Sequence, residues 1–246
     1  MMQQIRSEFR KIKTTRSAVA LLVGMLALSG LAMWATVKNA SPDELATALS
    51  SPEVLAAVVV AVPIFVLVLG VRSFTDEIRH GSIVPTFLAT PARTRVLGAK
   101  LFVIAVTSAG FALAALGLGI GITVAFLASE GIAVPLAAGS LAALAGKVVF
   151  VAALWSALGV AIGALVRHQV AAIVGALAWV LVAESMIALV APGAVAYLPG
   201  HAATAAVGMA TDPTLLSPAM GAVVLAGWAA GAAGLAAAAI TRRDVA

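Results

Sequence analysis

The chain has 246 residues, of which 63% are apolar and 10% are charged, and it contains no cysteine. A soluble domain averages about 45–50% apolar and about 25% charged residues, so this composition excludes an ordinary water-soluble domain and indicates that lipid is the main solvent. The lack of cysteine excludes disulfides and thiolate metal sites. A net charge of +5 is compatible with a nucleic-acid partner, but membrane orientation, argued below, explains it better, and we predict no nucleic acid.

Residues 1–17 are predicted to form a cytoplasmic amphipathic helix that lies in the membrane interface. Ile5, Phe9 and Ile12 recur at the spacing of one helical face, while basic residues cover most of the remaining surface. Such a segment lies among lipid headgroups, with its apolar face towards the acyl chains and its cations towards anionic lipid. The alternative is a solvated basic tail that only helps to fix orientation.

Residues 18–246 are predicted to form one transmembrane domain of six helices, which makes the chain an all-α polytopic membrane protein. Hydrocarbon about 30 Å thick is spanned by roughly 20 helical residues, and long apolar runs recur along the chain. The first run follows a basic segment, as in a signal peptide, but it exceeds an apolar region of about 7–15 residues, so we predict a retained helix. The predicted spans lie near residues 18–37, 54–72, 100–127, 143–166, 169–190 and 218–240.

Residues 191–217, between the last two predicted spans, contain several prolines and glycines but have an apolar middle. An apolar stretch this short is typical of an interfacial or re-entrant segment rather than a span. Within the spans, small residues recur four positions apart, a spacing that lets helices approach closely in lipid. We expect these residues to pack helices within the chain rather than to form a dimer seam. They are Gly117 and Gly121, Gly159 and Gly163, and Gly227 and Gly231.

The basic residues predict the orientation of the chain. Six spans place both termini on one side, and all the lysines and arginines except Lys38 and Lys147 fall on that side. Basic residues accumulate in cytoplasmic loops, so both termini are predicted to be cytoplasmic in a plasma (inner) membrane. The richness in Ala, Gly and Val hints at a bacterial source with GC-rich DNA.

The common signatures of catalysis are absent from the sequence. It has no P-loop that would cradle ATP, no zinc-protease helix motif and no nucleophile-elbow motif. His80, His168 and His201 fall in separate loops or span ends, where interfacial side chains are more common than metal ligands. The chain is therefore predicted not to be an enzyme and to bind no metal or cofactor itself.

Glu184 is the one ionisable residue that falls well inside a predicted span. A carboxylate at a helix centre costs about 2.5–3.5 kcal/mol on insertion scales, so intramembrane ionisable residues are functional candidates. Glu184 is predicted either to line a transport path or to bond a neighbouring helix. A third interpretation is that it reaches interface water, because it lies towards the outer end of its span.

The connection after the second predicted span, residues 72–95, contains too many apolar residues for a plain solvated loop. Ile83, Val84, Phe87 and Leu88 share one face of a short helix. A charged connection with an apolar helical face on the cytoplasmic side is suited to docking another protein.

In its motif this connection resembles that of ABC transporter permeases of the type-2 exporter class. Those proteins carry an acidic residue, Gly-Ser or Gly-Thr, an apolar pair, Pro-x-x-Arg/Lys, and a basic residue that enters the third span. The basic N-terminus, six spans and small segment before the last span are similar as well. Two departures are the short outer loops and Pro85, which interrupts the expected short helix. The matching residues are Glu77, Gly81-Ser82, Phe87-Leu88, Pro91 to Arg93, Arg95 and Lys100.

The resemblance implies a permease subunit of an ATP-driven exporter that performs efflux across the inner membrane. It implies a second permease subunit, identical or homologous, and separate ABC ATPase subunits that carry ATP and Mg. The loop then passes the motion of the ATPases to the helices, with Glu77 paired with Arg72 or Arg79. The implied coupling residues are Glu77, Gly81, Phe87, Leu88, Pro91, Arg93 and Arg95.

Two other functions stay open at this point. One is an ion-gradient-driven secondary transporter, which needs buried carboxylates or broken helices at the membrane midplane; only Glu184 qualifies. The other is a non-transporting membrane anchor or scaffold. A neighbouring reading frame with a P-loop favours the exporter over both.

Overall fold

The computed structural model of the chain describes residues 2–41, 56–83, 85–86, 92–132, 138–209 and 216–242. Within these ranges the regular structure is entirely helical, which confirms the predicted all-α class. In chain order the helices are α1 (Met2–Thr14), α2 (Arg16–Asn39), α3 (Ala56–Arg79), α4 (Arg93–Ser129), α5 (Ala138–Val166), α6 (Gln169–Ala178), a π turn (Trp179–Ala183), α7 (Glu184–Val190), α8 (Pro192–Val195), α9 (Pro199–Val207) and α10 (Pro218–Arg242).

Five helices of the described chain are long and apolar enough to cross a membrane. They confirm a multi-pass membrane protein, because each exceeds the roughly 20 residues that a span requires. Helix α3, which contains the predicted second span, is not among these five. The sixth span therefore stays a prediction. The five are α2, α4, α5, the continuous helix Gln169–Val190, and α10.

The connection between α3 and α4 is shorter than predicted at both ends. Helix α3 continues to Arg79 and α4 begins at Arg93, whereas the sequence analysis placed the span ends near 72 and 100. Charge was used to predict the ends of the spans, and a helix can continue beyond its span because it satisfies its backbone in water as well as in lipid. With 37 residues, α4 is about 55 Å long at 1.5 Å per residue, well beyond a bilayer core of about 30 Å.

Helix α5 is the centre of the bundle and packs against α3, α4 and α10. Its closest approach is to α3, where a Cβ placed on Gly159 would overlap the Leu67 carbonyl oxygen, and one on Gly163 would lie 2.5 Å from the Val71 oxygen. Glycine at these positions lets two backbones touch. Packing within the chain is thus observed for this glycine pair. For Gly117, Gly121, Gly227 and Gly231, a Cβ would meet no described atom within 4 Å.

The described part of the segment before α10 forms two short helices, Pro192–Val195 and Pro199–Val207. Helix α9 packs against α10 and α5, and a Cβ on Gly221 would lie 2.7 Å from the Ala202 oxygen, so α9 and α10 approach closely. The indole Nε1 of Trp228 donates a hydrogen bond of 2.9 Å to the carbonyl of Tyr197. Each short helix begins with proline, whose missing N–H costs nothing at the first helical position.

The helix Gln169–Val190 is not uniformly α-helical. Its middle is the π turn Trp179–Ala183, which is followed directly by Glu184. Single π turns inside α-helices are rare and occur often at functional sites. This one lies beside the short helix α9, where the next section places the Glu184 carboxylate.

Candidate functional site

Four side chains form a compact charge cluster where α1, α3 and α4 meet. Lys100 of α4 is 1% exposed, and its Nζ lies 2.8 Å from Glu8 Oε2 and 2.7 Å from Glu77 Oε1. Lys11 closes the set, with its Nζ 2.6 Å from Glu8 Oε1 and 2.5 Å from Glu77 Oε1. The Lys100 ammonium also donates to the Ser73 carbonyl at 3.0 Å. We call Glu8, Lys11, Glu77 and Lys100 the charge cluster.

The electrostatics keep the α1 members of the charge cluster ionised. Burial alone raises the pKa of Glu8, but the Lys100 and Lys11 ammonium groups outweigh burial and hold that pKa below its usual value. Burial lowers the pKa of Lys11, but hydrogen bonds to Glu77 and Glu8 outweigh it and raise that pKa. The charge cluster contains two acidic and two basic side chains, so each buried group has partners of opposite sign, as buried ions require.

The partners of Glu77 differ from the predicted ones. The sequence analysis paired Glu77 with Arg72 or Arg79, which are its neighbours along the helix, and this was wrong. Arg72 pairs instead with Asp76, at 3.2 Å. Arg79 donates to the side-chain oxygen of Gln169, at 3.3 Å. The actual partners of Glu77, Lys11 and Lys100, come from two other helices, which local spacing does not reveal.

A second set of contacts joins the cytoplasmic end of α3 to α6. Asp76 accepts a hydrogen bond of 2.9 Å from the Gln169 amide nitrogen, at the first residue of α6. His168 caps the same helix, because its Nδ1 accepts from the Ala171 N–H at 3.3 Å. The last two turns of α3 thus contact α1, α4 and α6 through charged or polar side chains. This end of α3 is therefore bonded to three neighbouring helices.

Gly81 ends α3 with a left-handed residue. Its φ is +68°, the Ser82 N–H bonds the Glu77 carbonyl at 2.9 Å, and the Gly81 N–H bonds the Ile78 carbonyl at 3.1 Å. This is the Schellman arrangement of helix ends, which favours glycine because other residues are strained at positive φ. A Cβ at Gly81 would meet no described atom within 4 Å, so the backbone angle and not crowding requires glycine.

Three residues of the short helix expected in the connection are described, and the rest of that helix stays a prediction. Ile83, Pro85 and Thr86 have helical conformation. Proline is tolerated in a first helical turn, where its missing N–H would have no partner. The predicted coupling residues Phe87, Leu88 and Pro91 lie outside the described residues.

The two arginines at the start of α4 have different surroundings. Arg93 Nη1 donates to the Ile240 carbonyl at 3.0 Å, in the last turn of α10. An arginine at a helix C-terminus satisfies an otherwise unbonded carbonyl and interacts favourably with the helix dipole. Arg95 is exposed. The structure therefore brings Glu77 into the charge cluster, gives Arg93 a bond to another helix, and leaves Arg95 at the surface.

Glu184 lies at the opposite end of the bundle, where its carboxylate caps α9. Glu184 is 2% exposed, and both of its oxygens lie 3.1 Å from the backbone nitrogen of Gly200. His201 Nδ1 lies 3.4 Å from Glu184 Oε2. Free N–H groups at a helix N-terminus favour a carboxylate. A cavity of about 240 Å³ opens beside this carboxylate.

Sequence reasoning missed Glu8, Lys11 and Lys100 as an ion-pair set. One signal was present: Glu8 is the only acidic residue in a strongly basic segment, and Lys11 follows it by three residues. Such an exception within an amphipathic helix indicates a specific partner. Among the described residues, no group of three or more His, Asp or Glu side chains is placed to hold a metal ion.

Comparison with known proteins gives one clear result. No curated protein matches the chain. A family model described as ABC-2 family transporter protein matches residues 4–209, which include α1, the charge cluster, the connection between α3 and α4, and Glu184. That family comprises membrane transport components that are not themselves catalytic and that imply association with an ABC ATPase subunit. Because the match covers most of the chain, the protein belongs to the ABC-2 family of transporter proteins.

Proposed function

We propose that the chain is the permease subunit of an ATP-driven exporter in the plasma (inner) membrane, with both termini in the cytoplasm. Two permease subunits, identical or homologous, form the transport path, and two separate ABC ATPase subunits bind ATP and Mg. Family membership and the lack of a P-loop in the sequence support this division of labour. A secondary transporter or a plain anchor accounts for neither.

The charge cluster is the observation that carries the proposal. Glu77 lies four residues before Gly81, where the connection leaves α3, and Lys100 lies in the second turn of α4, where it returns. Their ion pair of 2.7 Å joins the two ends of the connection, and Glu8 and Lys11 attach α1 to the same point. A force on the connection therefore moves α1, α3 and α4 together.

The connection then docks in a groove of the ATPase subunit. Phe87 and Leu88 supply the apolar anchors, since a few desolvated side chains carry most of the energy of an interface. Arg95, which is exposed, meets acidic groups at the rim, where a charge contributes less. Pro91 and Gly81 shape the two ends of the docking segment, and Arg93 fixes the start of α4 against α10.

Phe87→Ala is the variant that tests this function. The purified chain alone is expected to hydrolyse no ATP, and co-expression with its cognate ABC ATPase subunit is expected to yield a stable, active complex. Phe87→Ala removes an apolar anchor from the interface, so the yield of that complex and its ATPase rate are expected to fall tenfold or more. The measurements are co-purification and phosphate release in proteoliposomes.

Phe102→Ala is the matched control, because Phe102 is 52% exposed on the side of α4 and is not proposed to touch the ATPase. It is expected to keep the wild-type yield and rate. ATP hydrolysis by the homogeneous chain alone contradicts the assignment of ATP hydrolysis to a separate subunit. A Phe87→Ala complex with wild-type yield and rate contradicts docking through this connection.

Single-cysteine labelling tests the orientation, and the absence of native cysteine makes each variant unambiguous. In intact cells, a membrane-impermeant maleimide is expected to label Ser41→Cys and Ser129→Cys but not Ser7→Cys or Thr94→Cys. The reason is that the basic ends of the helices lie inside. Permeabilised cells, in which all four exposed positions react, are the control. Labelling at Ser7 or Thr94 in intact cells contradicts cytoplasmic placement of α1 and the connection.

A further inference from the structure

The cavity beside Glu184 has the composition of a binding site. It has a volume of about 240 Å³ and lies between α3, α5, the π turn, the start of α7, and α9. Ligand sites are typically apolar and aromatic concavities with a few placed polar groups. We call it the α9 cavity. Its chemically distinctive lining residues are Pro63, Trp155, Glu184, His201 and Thr204.

The Glu184 carboxylate has bonding capacity to spare. Both oxygens share the Gly200 backbone N–H, and the Trp179 side chain also donates to the carboxylate, whereas an ionised carboxylate offers about four acceptor positions. His201 contributes an imidazole 3.4 Å away. No lysine or arginine among the described residues forms an ion pair with Glu184, and Lys147 of α5 bonds the Val207 carbonyl at the other end of α9, at 3.3 Å. The carboxylate therefore lacks a permanent cationic partner in the part of the chain that the structure describes.

Trp155 is the second independent indication of a ligand. It is 2% exposed, it lines the α9 cavity, and its indole Nε1 finds no acceptor among the described residues. Buried polar groups nearly always have a partner, so each exception calls for an explanation. A tryptophan ring also attracts cations at its face, within about 6 Å of the ring centre. The ring face of Trp155 can therefore contact a cation, while its indole N–H is left for an acceptor such as water, because an ammonium group only donates.

Charge and size together decide the ligand class. An anion is repelled by Glu184, and an uncharged apolar molecule leaves the buried carboxylate as poorly compensated as before. A cation compensates it, and both this interaction and the attraction to Trp155 strengthen where water is excluded. The limited volume favours a compact body, and the apolar lining favours a hydrocarbon one.

We propose that the α9 cavity binds compact apolar organic cations, with Glu184 as the counter-charge and Trp155 against the bound molecule. The proposal rests on the proposed transport function, in which this cavity is a substrate-binding site. The recognised chemistry is an ammonium group on an apolar body. A free amine and the ammonium headgroup of a lipid such as phosphatidylethanolamine both present it.

The test is binding of 1-adamantanamine to the purified full chain in a neutral maltoside detergent, measured by equilibrium dialysis. The control ligand is 1-adamantanol, which has the same cage and volume but no charge. The amine is expected to bind at least tenfold more tightly than the alcohol. Glu184→Gln is expected to abolish that difference, while Ser185→Ala, at an exposed neighbouring position, is expected to preserve it. Trp155→Phe is expected to weaken amine binding severalfold.

Equal affinity for the amine and the alcohol in the wild-type chain overturns the proposal without any variant. If the folded Glu184→Gln variant still binds the amine more tightly than the alcohol, the proposal is overturned as well. Competition by added phosphatidylethanolamine identifies the lipid headgroup as the occupant, and its failure to compete leaves a free amine, with the ligand chemistry supported either way. Because the assay contains neither ATP nor an ATPase, its failure leaves the ATP-driven function standing, and loss of that function leaves the binding result intact.

Discussion

Lys100→Met is expected to lower the stability of the chain by about 3 kcal/mol, near the lower end of the cost of breaking a buried ion pair. The change leaves Glu8 and Glu77 buried, with only Lys11, whose side chain is 40% exposed, to compensate both. At roughly 2–4 °C per kcal/mol for a chain of this size, the apparent Tm in detergent is expected to fall by about 6–12 °C. Trypsin is also expected to cleave α1 faster, because α1 loses one of its attachments to α4.

Lys38→Met is the control for this experiment. Lys38 is exposed near the end of α2, where its ammonium lies 4.7 Å from the centre of the Trp34 ring. An exposed contact of this kind contributes about 0.5–1 kcal/mol, so Tm is expected to change by only a few degrees and cleavage of α1 not at all. Equal effects of the two substitutions would show that the charge cluster does not hold α1 in place.

Gly159→Ala is expected to disrupt the bundle although it adds a single methyl group. That methyl group would overlap the Leu67 carbonyl oxygen and lie 3.0 Å from the Val71 nitrogen, which are backbone atoms that no rotamer change can move. Overpacking of a core costs about 1–3 kcal/mol and occasionally more. We expect about 3 kcal/mol or more here, because α3 and α5 must separate, and a Tm lower by roughly 6–12 °C or more.

Gly110→Ala is the matched control, since a Cβ at Gly110 in α4 would meet no described atom within 4 Å. Alanine is also the better helix former by about 1 kcal/mol. That variant is therefore expected to keep or slightly raise the Tm, measured by intrinsic fluorescence and by size-exclusion profiles after heating. A Gly159→Ala chain as stable as the Gly110→Ala chain would contradict the close contact of α3 and α5.

Local features of the fold were predictable because they have local causes. Apolar runs marked the positions of the long helices, and the spacing of Ile5, Phe9 and Ile12 marked α1, which the structure contains as Met2–Thr14. Gly81 was predicted to allow a turn, and it occupies the left-handed position that ends α3. Helices α3 and α4 extend beyond the predicted spans, because helix ends follow backbone hydrogen bonding whereas charge was the signal for the span ends.

The charge cluster was not predictable in the same way. The two paired residues that lie farthest apart in the sequence are Glu8 and Lys100, which are separated by 92 residues. No local pattern specifies which lysine pairs with which glutamate. Glu77 was identified, but its partners were sought along its own helix. For Glu184, the sequence revealed a costly buried carboxylate and left its partner open. Its donors proved to be the Gly200 N–H, a backbone group that every residue except proline carries, and the Trp179 side chain.

The π turn sets the rotational phase of the helix that carries Glu184. Residues of an α-helix advance by about 100° each, so the buried face that begins with Ala172 and Ala176 would continue to Ala183 in a regular helix. One extra residue in the turn delays that face by one position, and the buried residue becomes Glu184. In the regular phase the carboxylate would point about 100° away from α9. The contact between Glu184 and the N-terminus of α9 therefore depends on the π turn. The carboxylate reaches Gly200 only while that turn keeps its extra residue.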